Sequence, residues 1–564
     1  MTYQSKPWLK SYDEDVRHDI EITDRSVVDR LDYIYETYKK QTAFHFLGMS
    51  MTYEDLMNHA NRFASCLAEH QIKPGSVVAI NLPNIPQYLI AMLGTIKAGC
   101  IVSGVSPLLT ANELIYQLND SRAKVVVTLD AIFENRLAGI MNNFYELKLI
   151  IPTNLIDFLP WYKQFIGKIF KKIPSGNIFP IKNKSVISFK TILTDYPSDR
   201  RPVELNHDSP CFLQYTGGTT GVPKGALLTH KNMLANPHQF QEWIKLEWGN
   251  EKILSGFPMF HAAGLTTALM SVMFGCTQVL IPDPRNTNHI ISEFKSLRPT
   301  FVANVPTLFL ILLRDPEFRK LDFSNVRLCI SGAAPFPVDG IRQFEEVIGK
   351  GKMIELYGMT ETGPIQTVNP FKGVKKIGSV GLPLPSTDIC IVDLLSGTKE
   401  LPIGQEGEII VRGPQIMKEY FQKPTETEKV LKKFDGHIWM YTGDIGRMDE
   451  DGYLFIVDRA KDMINVGGFK VFSREVEDEM YEHPAIQVCA VIAEQNPDRP
   501  ESEQVKLIVQ KSPYCKGKSN ADIKNEILAF ARDKLSPYKV PKSVEFVDSI
   551  PLTAVGKVNK KALR

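Results

Sequence analysis

Apolar positions along the chain follow two spacings. Through Thr52–His70 they recur every three to four residues, at Leu56, Ala60, Phe63 and Leu67, behind a Thr and an acidic first turn. That spacing predicts a capped amphipathic helix. Unbroken apolar runs alternate with such stretches. "SVVAINLP" reads as a buried strand, "QYLIAMLGTIKAG" as a helix ending at Gly99, and "AKVVVTLD" as another strand. The alternation predicts parallel sheets covered by helices. Farther on, "FVANVP", "VRLCISGAAP" and "KMIELYGMTETG" each run a short strand into a Gly- or Pro-marked turn. In open α/β sheets such turns, at the carboxyl ends of strands, are candidate site walls.

The pattern changes twice more. From about Ile377, "GSVGLPLPSTDICIVD" and "GEIIVRGPQIM" predict short strands with frequent turns, a β-rich subdomain over 377–460. The tail returns to helices, "SREVEDEMYEH" and "NADIKNEILAFARDKL", around the strands "IQVCAVIAEQ" and "EQVKLIVQ". The expected fold is α/β. A large domain, 1–460, carries mostly parallel, helix-covered sheets, and a small mobile α+β domain, 461–564, follows it. Charge and glycine interrupt the pattern at "VDRAKDMINVGGFK", the expected joint. The run "YTGGTTGVPKGALLTH" (Tyr215–His230) fits neither spacing and reads as a polar loop, not a buried strand.

Composition narrows the function classes. With 564 residues, 43% hydrophobic and 23% charged, the chain has material for several ordinary cores. Its 66 basic and 64 acidic side chains leave a net charge of +2, which argues against a nucleic-acid partner. The eight cysteines stand singly, without zinc or redox spacing, as expected of buried thiols in a reducing compartment. The first residues carry charges where a secretory signal needs an apolar core, and no apolar run is long enough to span a bilayer. The expectation is an intracellular, cytoplasmic protein not integral to a membrane.

A phosphate cradle needs backbone N–H groups converging on one point, and glycine permits that conformation and close approach. Threonine hydroxyls add donors, and lysine adds a mobile charge. Thr216, Gly217, Gly218, Thr219, Thr220, Gly221 and Lys224 supply all three. This is not a Walker loop, because Lys224 lies between Pro223 and Gly225. On composition alone, a flexible surface turn is the competing reading.

Segments farther on share this character in a fixed order: "FPMFHAAG", "SGAAP", "YGMTET", "YTGD", "VDRAKDMI" and "PLTAVGKVNKKAL". With the loop, they resemble the motifs of acyl-adenylate-forming enzymes, the superfamily of acyl-CoA synthetases, luciferases and peptide-synthetase adenylation domains. The resemblance runs from Tyr215 to Leu563. It implies a two-step reaction. A carboxylate attacks the α-phosphorus of ATP to give acyl-AMP and pyrophosphate, and the thiol of coenzyme A then displaces AMP.

The resemblance also implies roles. Lys224 and the loop amides would hold the β- and γ-phosphates, Thr216 and Glu361 would meet Mg²⁺, and Thr360 would touch the α-phosphate. Tyr357 would stack on adenine opposite Gly332, Ala333 and Ala334, with Glu355, Leu356, Gly358 and Met359 flanking the nucleotide. Asp444 would accept from the ribose hydroxyls, and Arg459 would reinforce the ribose or phosphate side. His261 would orient the reactants or stabilise charge, since a carboxylate nucleophile needs no base; a satisfied core histidine is the other reading. Lys557 would reach the α-phosphate during adenylation. It would withdraw when the small domain turns about Lys461, bringing Gly467 and Gly468 near the thiol arm. Ser473 stands where many relatives have proline, with an effect expected to stay local to its loop.

The best overall resemblance is to bacterial long-chain fatty-acyl-CoA ligases. Medium-chain or aryl acids, a carrier-loading adenylation enzyme and a non-catalytic nucleotide sensor are the alternatives. The chain has no carrier-type serine motif, and a sensor would not need both Glu361 and Lys557. Trp243, "FPMFHAAG", "VANVP" and "YGMTET" would wall the acyl pocket. Over 158–174, apolar residues recur every three to four positions among Lys163, Lys168, Lys171 and Lys172. That suits either an interfacial helix on an anionic membrane or a helix packed on its own domain. The sequence does not specify the oligomeric state, for which a homodimer is one option.

Overall fold

The computed structural model describes residues 2–159, 174–199, 202–216, 222–334, 336–459, 462–467, 469–497, 502–553 and 557–564. The segment read as an interfacial helix therefore lies almost wholly outside the described residues, as do Gly217, Gly218, Thr219, Thr220, Gly221, Lys461 and Gly468.

The expected helix forms over Tyr53–Glu69, and Thr52 caps it by accepting from the Asp55 amide. Its Leu56, Ala60, Phe63 and Leu67 are buried, as the spacing demands. The stretch "QYLIAMLGTIKAG" forms the helix Pro86–Lys97, and every residue in it is buried. Its unbroken apolarity therefore reflects a helix covered on all sides.

Among the described residues, nine strands make one sheet. Its centre runs in parallel through Met353–Gly358, Leu328–Ser331, Phe301–Asn304, Lys252–Ser255, Thr277–Leu280 and Thr42–Phe46. Antiparallel strands close both edges. An eight-stranded sheet holds Ile101–Gly104, Val77–Asn81, Val125–Leu129 and Leu149–Thr153 in parallel. Such strands are buried on both faces, hence their continuous apolar runs. One apolar core joins both sheets and their helices.

The glycine–threonine run corrects the sequence reading. Pro210–Thr216 and Lys224–Thr229 are paired antiparallel strands of the eight-stranded sheet, with Thr216 opposite Lys224. Gln214 and Tyr215 on one strand and Ala226, Leu227 and Leu228 on the other are buried. The residues between the two strands, 217–221, lie outside the described residues.

The β-rich region is an antiparallel sheet in which Gly407–Arg412, Leu431–Phe434 and Leu454–Arg459 all pair with His437–Met448. Beyond it, Ile486–Gln495, Glu503–Lys511 and Ser543–Val547 form a three-stranded sheet, whose third strand the sequence pattern did not reveal. The helices Ser473–Met480 and Asn520–Lys534 cover it around a distinct apolar cluster that includes Val476, Met480, Leu507, Ile523 and Ile527.

All eight cysteines are free and buried, and burial pushes the Cys66 and Cys100 thiols up to about 12. No helix among the described residues is long and apolar enough to cross a membrane.

Candidate active site

The hairpin Pro210–Thr216/Lys224–Thr229 carries Thr216 and Lys224 to one edge of the cleft. The short strand Glu419–Tyr420 pairs with the second arm of the hairpin. This places the Tyr420 ring under the Lys224 ammonium, 5.1 Å from its centroid. The Tyr420 hydroxyl donates to Glu361 Oε1 at 2.6 Å. Lys224 is also ion-paired with Glu426, which pairs in turn with Lys429. The two lysines hold the Glu426 carboxyl down to about 2.

Glu361 sits in a short 3-10 turn, Thr360–Thr362, between the strands Met353–Gly358 and Ile365–Val368. The reversal is tight. A Cβ at Gly358 would lie 1.8 Å from the Pro364 carbonyl oxygen, so the position admits no side chain. Thr362 Oγ1 accepts from the Met359 amide at 3.1 Å and fixes the turn. Glu361 is 5% exposed. Burial raises its pKa, and the Tyr420 hydrogen bond opposes the rise.

Tyr357, on the same strand, donates its hydroxyl to Asp444 Oδ2 at 2.6 Å. Asp444 and Arg459 are cross-strand partners, and Arg459 Nε reaches Asp444 Oδ1 at 3.2 Å. Asp444 is the main reason the Arg459 pKa is raised. Across from this strand, a Cβ at Gly332 would meet Leu356 Cδ1 at 2.7 Å. Ala333 holds φ 69°, a left-handed conformation that costs an alanine about 1–2 kcal/mol. The turn after Leu328–Ser331 is thus small and strained. Glu355 lies two positions before Tyr357 on the same strand. Its Oε1 accepts from the Phe336 amide at 3.4 Å, and burial raises its pKa to about 7, against the charge of Arg474 on the C-terminal helix.

His261 caps the helix Ala262–Met273, and its Nδ1 accepts from the Ala263 amide at 3.4 Å. That bond assigns the ring proton to Nε2. Burial, then the charge of Lys557, push the imidazole down to about 3, so the ring is neutral. Lys557 comes from the far end of the chain. Its carbonyl accepts from the Thr553 amide at 2.7 Å, and its amide donates to Thr553 Oγ1 at 3.2 Å. By solvent exposure it is half-buried. Burial and Arg459 push its pKa down to about 8, and Asp444 and Glu361 oppose them. Lys557 thus shares an electrostatic neighbourhood with Arg459, Asp444, Glu361 and His261. Gly467 lies elsewhere, donating its amide to Ser502 Oγ at 2.8 Å.

One sequence reading changes. Trp243, expected to wall an acyl pocket, is a core side chain. Its Nε1 donates to the Asn369 carbonyl at 3.0 Å, and its ring meets Tyr12 edge-on. Behind Phe257 and Met259 lies a cavity of about 10 Å³, bounded by Ile253, Gly264, Ala268 and Leu280. It has room for about one water, not an acyl chain. Sequence reasoning also missed Tyr420 and Glu426. They lie in "EYFQKPTETEK", a polar stretch whose only signal is a Pro at a helix start.

Residues 32–421 match the model of the AMP-binding enzyme family, and residues 475–557 match that of the AMP-binding enzyme C-terminal domain. The long-chain-fatty-acid–CoA ligase of Bacillus subtilis (strain 168) is 39% identical over 569 residues, covering 99% of this chain and 97% of that protein. A feruloyl-CoA synthase from Amycolatopsis sp is 31% identical, covering 93% of this chain and 95% of that one. Among solved structures, the anthranilate CoA ligase AuaEII in complex with anthranoyl-AMP superposes with a TM-score of 0.83 at 25% identity, covering 96% of each chain.

Proposed function

The chain belongs to the AMP-binding enzyme family, and we propose that it joins long-chain fatty acids to coenzyme A in two steps at the cleft beneath Lys557. In the first step a carboxylate oxygen bonds to the α-phosphorus of ATP, the bond from that phosphorus to the bridging oxygen breaks, and pyrophosphate leaves. In the second the coenzyme A sulfur bonds to the acyl carbon and the acyl–phosphate C–O bond breaks. AMP departs, and the thiol proton passes to solvent.

The observation that carries this reading is Lys557. The charges of Arg459, Asp444 and Glu361 act on Lys557, and that of Lys557 acts on His261, although Lys557 lies far from all of them in sequence. Bringing a carboxylate to a triphosphate crowds anions, and preorganised cations and donors in a sheltered cleft offset that cost. Lys557 is cationic at neutral pH and suits the α-phosphate. The Nε2–H of neutral His261 suits an anionic oxygen and takes no proton. Lys224 suits the β- and γ-phosphates. Tyr357 and the small turn Gly332–Ala334 suit the two faces of adenine, and Asp444 suits the ribose hydroxyls.

The donor set fits Mg²⁺. Among the described residues no group of three acidic, His or Cys side chains could hold a metal unaided. A single buried carboxylate, Glu361, with the hydroxyl of Thr216 suits an ion that takes its other ligands from phosphate and water. When bound, the ion neutralises phosphate charge.

For the second step, the part of the chain after residue 460 turns about Lys461, withdrawing Lys557 and bringing Gly467 and Gly468 toward the thiol arm. We place the enzyme in the cytoplasm, with the basic aromatic segment 158–174 touching an anionic membrane surface. Replacing its lysines and measuring vesicle binding at low salt tests that contact; unchanged binding removes it.

Pyrophosphate release across an acid series, with and without coenzyme A, tests the activity. Long-chain acids should turn over fastest. Aromatic acids would win if the likeness to the feruloyl-CoA synthase governs the pocket. No acyl-CoA from any acid would overturn the ligase reading.

A further inference from the structure

Ser473 is the first residue of the helix Ser473–Met480, not part of a loop, and it lies in a polar network that crosses the joint of the chain. The residue preceding the helix, Phe472, offers no side-chain cap. One amide of the first turn is met instead by Asp458, on the strand Leu454–Arg459 before Lys461. Asp458 Oδ2 accepts from the Arg474 amide at 3.4 Å, and Oδ1 accepts from Ser473 Oγ at 3.3 Å. A carboxylate at a helix N-terminus is favourably placed. Ser473 Oγ in turn accepts from Lys560 Nζ at 2.7 Å. Lys560 also pairs with Glu477 Oε1 at 2.8 Å, and that oxygen takes the Val491 amide at 2.6 Å.

This network is largely sheltered from water. Asp458 is 5% exposed, and the Lys560 and Glu477 side chains are 14% and 15% exposed. Lys560 is the cation that offsets burial at both carboxylates, one on each side of the joint. It also lies three residues after Lys557, just past the bridge between Leu552 and Val558. Holding Lys560 thus holds the segment that carries Lys557.

We propose that Ser473, with Asp458, Lys560 and Glu477, forms a clamp across the joint that positions Lys557 for adenylation. The inference rests on the reading of Lys557 and Lys461 given above. Asp458 precedes Lys461, whereas Ser473, Glu477 and Lys560 follow it. A turn about Lys461 separates Asp458 from the Ser473 hydroxyl and the Arg474 amide, while the Lys560–Glu477 pair moves as one. The Asp458 bonds therefore favour one orientation only. If the two orientations interconvert before each half-reaction, the ratio of thioester to adenylation rates follows the ratio of the thioester-forming to the adenylating population. Losing a hydrogen bond to a charged group shifts such a ratio by about tenfold.

The test uses the full chain with Ser473→Ala and Ser473→Pro. Proline is accepted at a first helical position, so the second variant removes the hydroxyl and keeps the helix. Two rates are measured: pyrophosphate release from ATP and palmitate, and palmitoyl-CoA formation from supplied palmitoyl-AMP. Both variants, and Asp458→Asn, should raise the thioester-to-adenylation ratio about threefold to tenfold, and Ser473→Thr should restore it. A merely structural role lowers both rates together and leaves the ratio unchanged, which would overturn the clamp. Lys557→Ala is the reference. If it slows adenylation while the Ser473 variants leave the ratio alone, the clamp fails and the ligase mechanism stands. If it does not slow adenylation, both fail.

Discussion

The Tyr357 hydroxyl donates to Asp444 Oδ2 at 2.6 Å. With Arg459 on the other oxygen, both arms of this carboxylate are engaged before a nucleotide arrives. The tyrosine therefore aims Asp444 as well as offering a ring. Tyr357→Phe keeps the ring and removes the aim. Steady-state kinetics should show KM for ATP rising about fivefold to tenfold, with kcat changed little. A fall in kcat at constant KM would move Tyr357's role to the transition state.

Lys557 should set the alkaline limb of adenylation. Its pKa is held down to about 8, so it is cationic below that pH and loses its charge as pH rises through it. kcat/KM for pyrophosphate release, which reports the free enzyme, should fall above that value. Lys557→Arg, always charged, should move the limb out of range. Lys557→Ala should cost about 10²–10³-fold in adenylation and spare thioester formation from supplied acyl-AMP. His261, held down to about 3, contributes no step in the physiological range. An alkaline limb that persists in Lys557→Arg would assign it elsewhere.

Under the proposed role of Lys224, Glu426 would compete with the phosphates for it. Glu426→Gln removes that carboxylate and leaves Lys224 over the Tyr420 ring. The apparent affinity for ATP should rise about twofold to fivefold, since a solvent-screened ion pair competes only weakly. Isothermal titration with a non-hydrolysable ATP analogue checks this; weaker binding would make Glu426 a support for Lys224 instead.

Gly358→Ala should damage the turn that carries Thr360 and Glu361. The added Cβ would fall 1.8 Å from the Pro364 carbonyl oxygen, so the two strands must part. A loss of about 1–3 kcal/mol in denaturant unfolding is expected, with a larger loss of pyrophosphate release than of stability. Wild-type behaviour on both counts would mean that the turn relaxes freely.

The sequence was legible where one local rule governs. Thr52 and the apolar spacing after it are enough to place the helix Tyr53–Glu69, because capping and burial act within a few residues. Continuous apolar runs marked the parallel strands for the same reason. Lys224–Thr229 was obscured, because the glycines and threonines that precede it in sequence masked the buried Ala226, Leu227 and Leu228. Tyr420 and Glu426 left no local trace. Their importance comes from a strand pairing between residues nearly 200 positions apart in the chain, which no window of sequence contains. Motif resemblance nominated Lys557, Glu361, Asp444 and Arg459 for one site, but it could not show that Tyr357 holds Asp444. Ser473 looked like a small departure because its partners, Asp458 and Lys560, are far away in sequence.

The apolar cluster around Val476, Leu507 and Ile527 is complete in itself and distinct from the core that joins the two large sheets. Melting one leaves the other's apolar side chains covered, so each should absorb heat in its own transition. Ligands that engage Lys557 together with Asp444 and Glu361, as proposed, should draw the two transitions together. The thermal behaviour of this chain is then described by a pair of temperatures and the gap between them, and narrowing of that gap reports closure without any enzymatic assay.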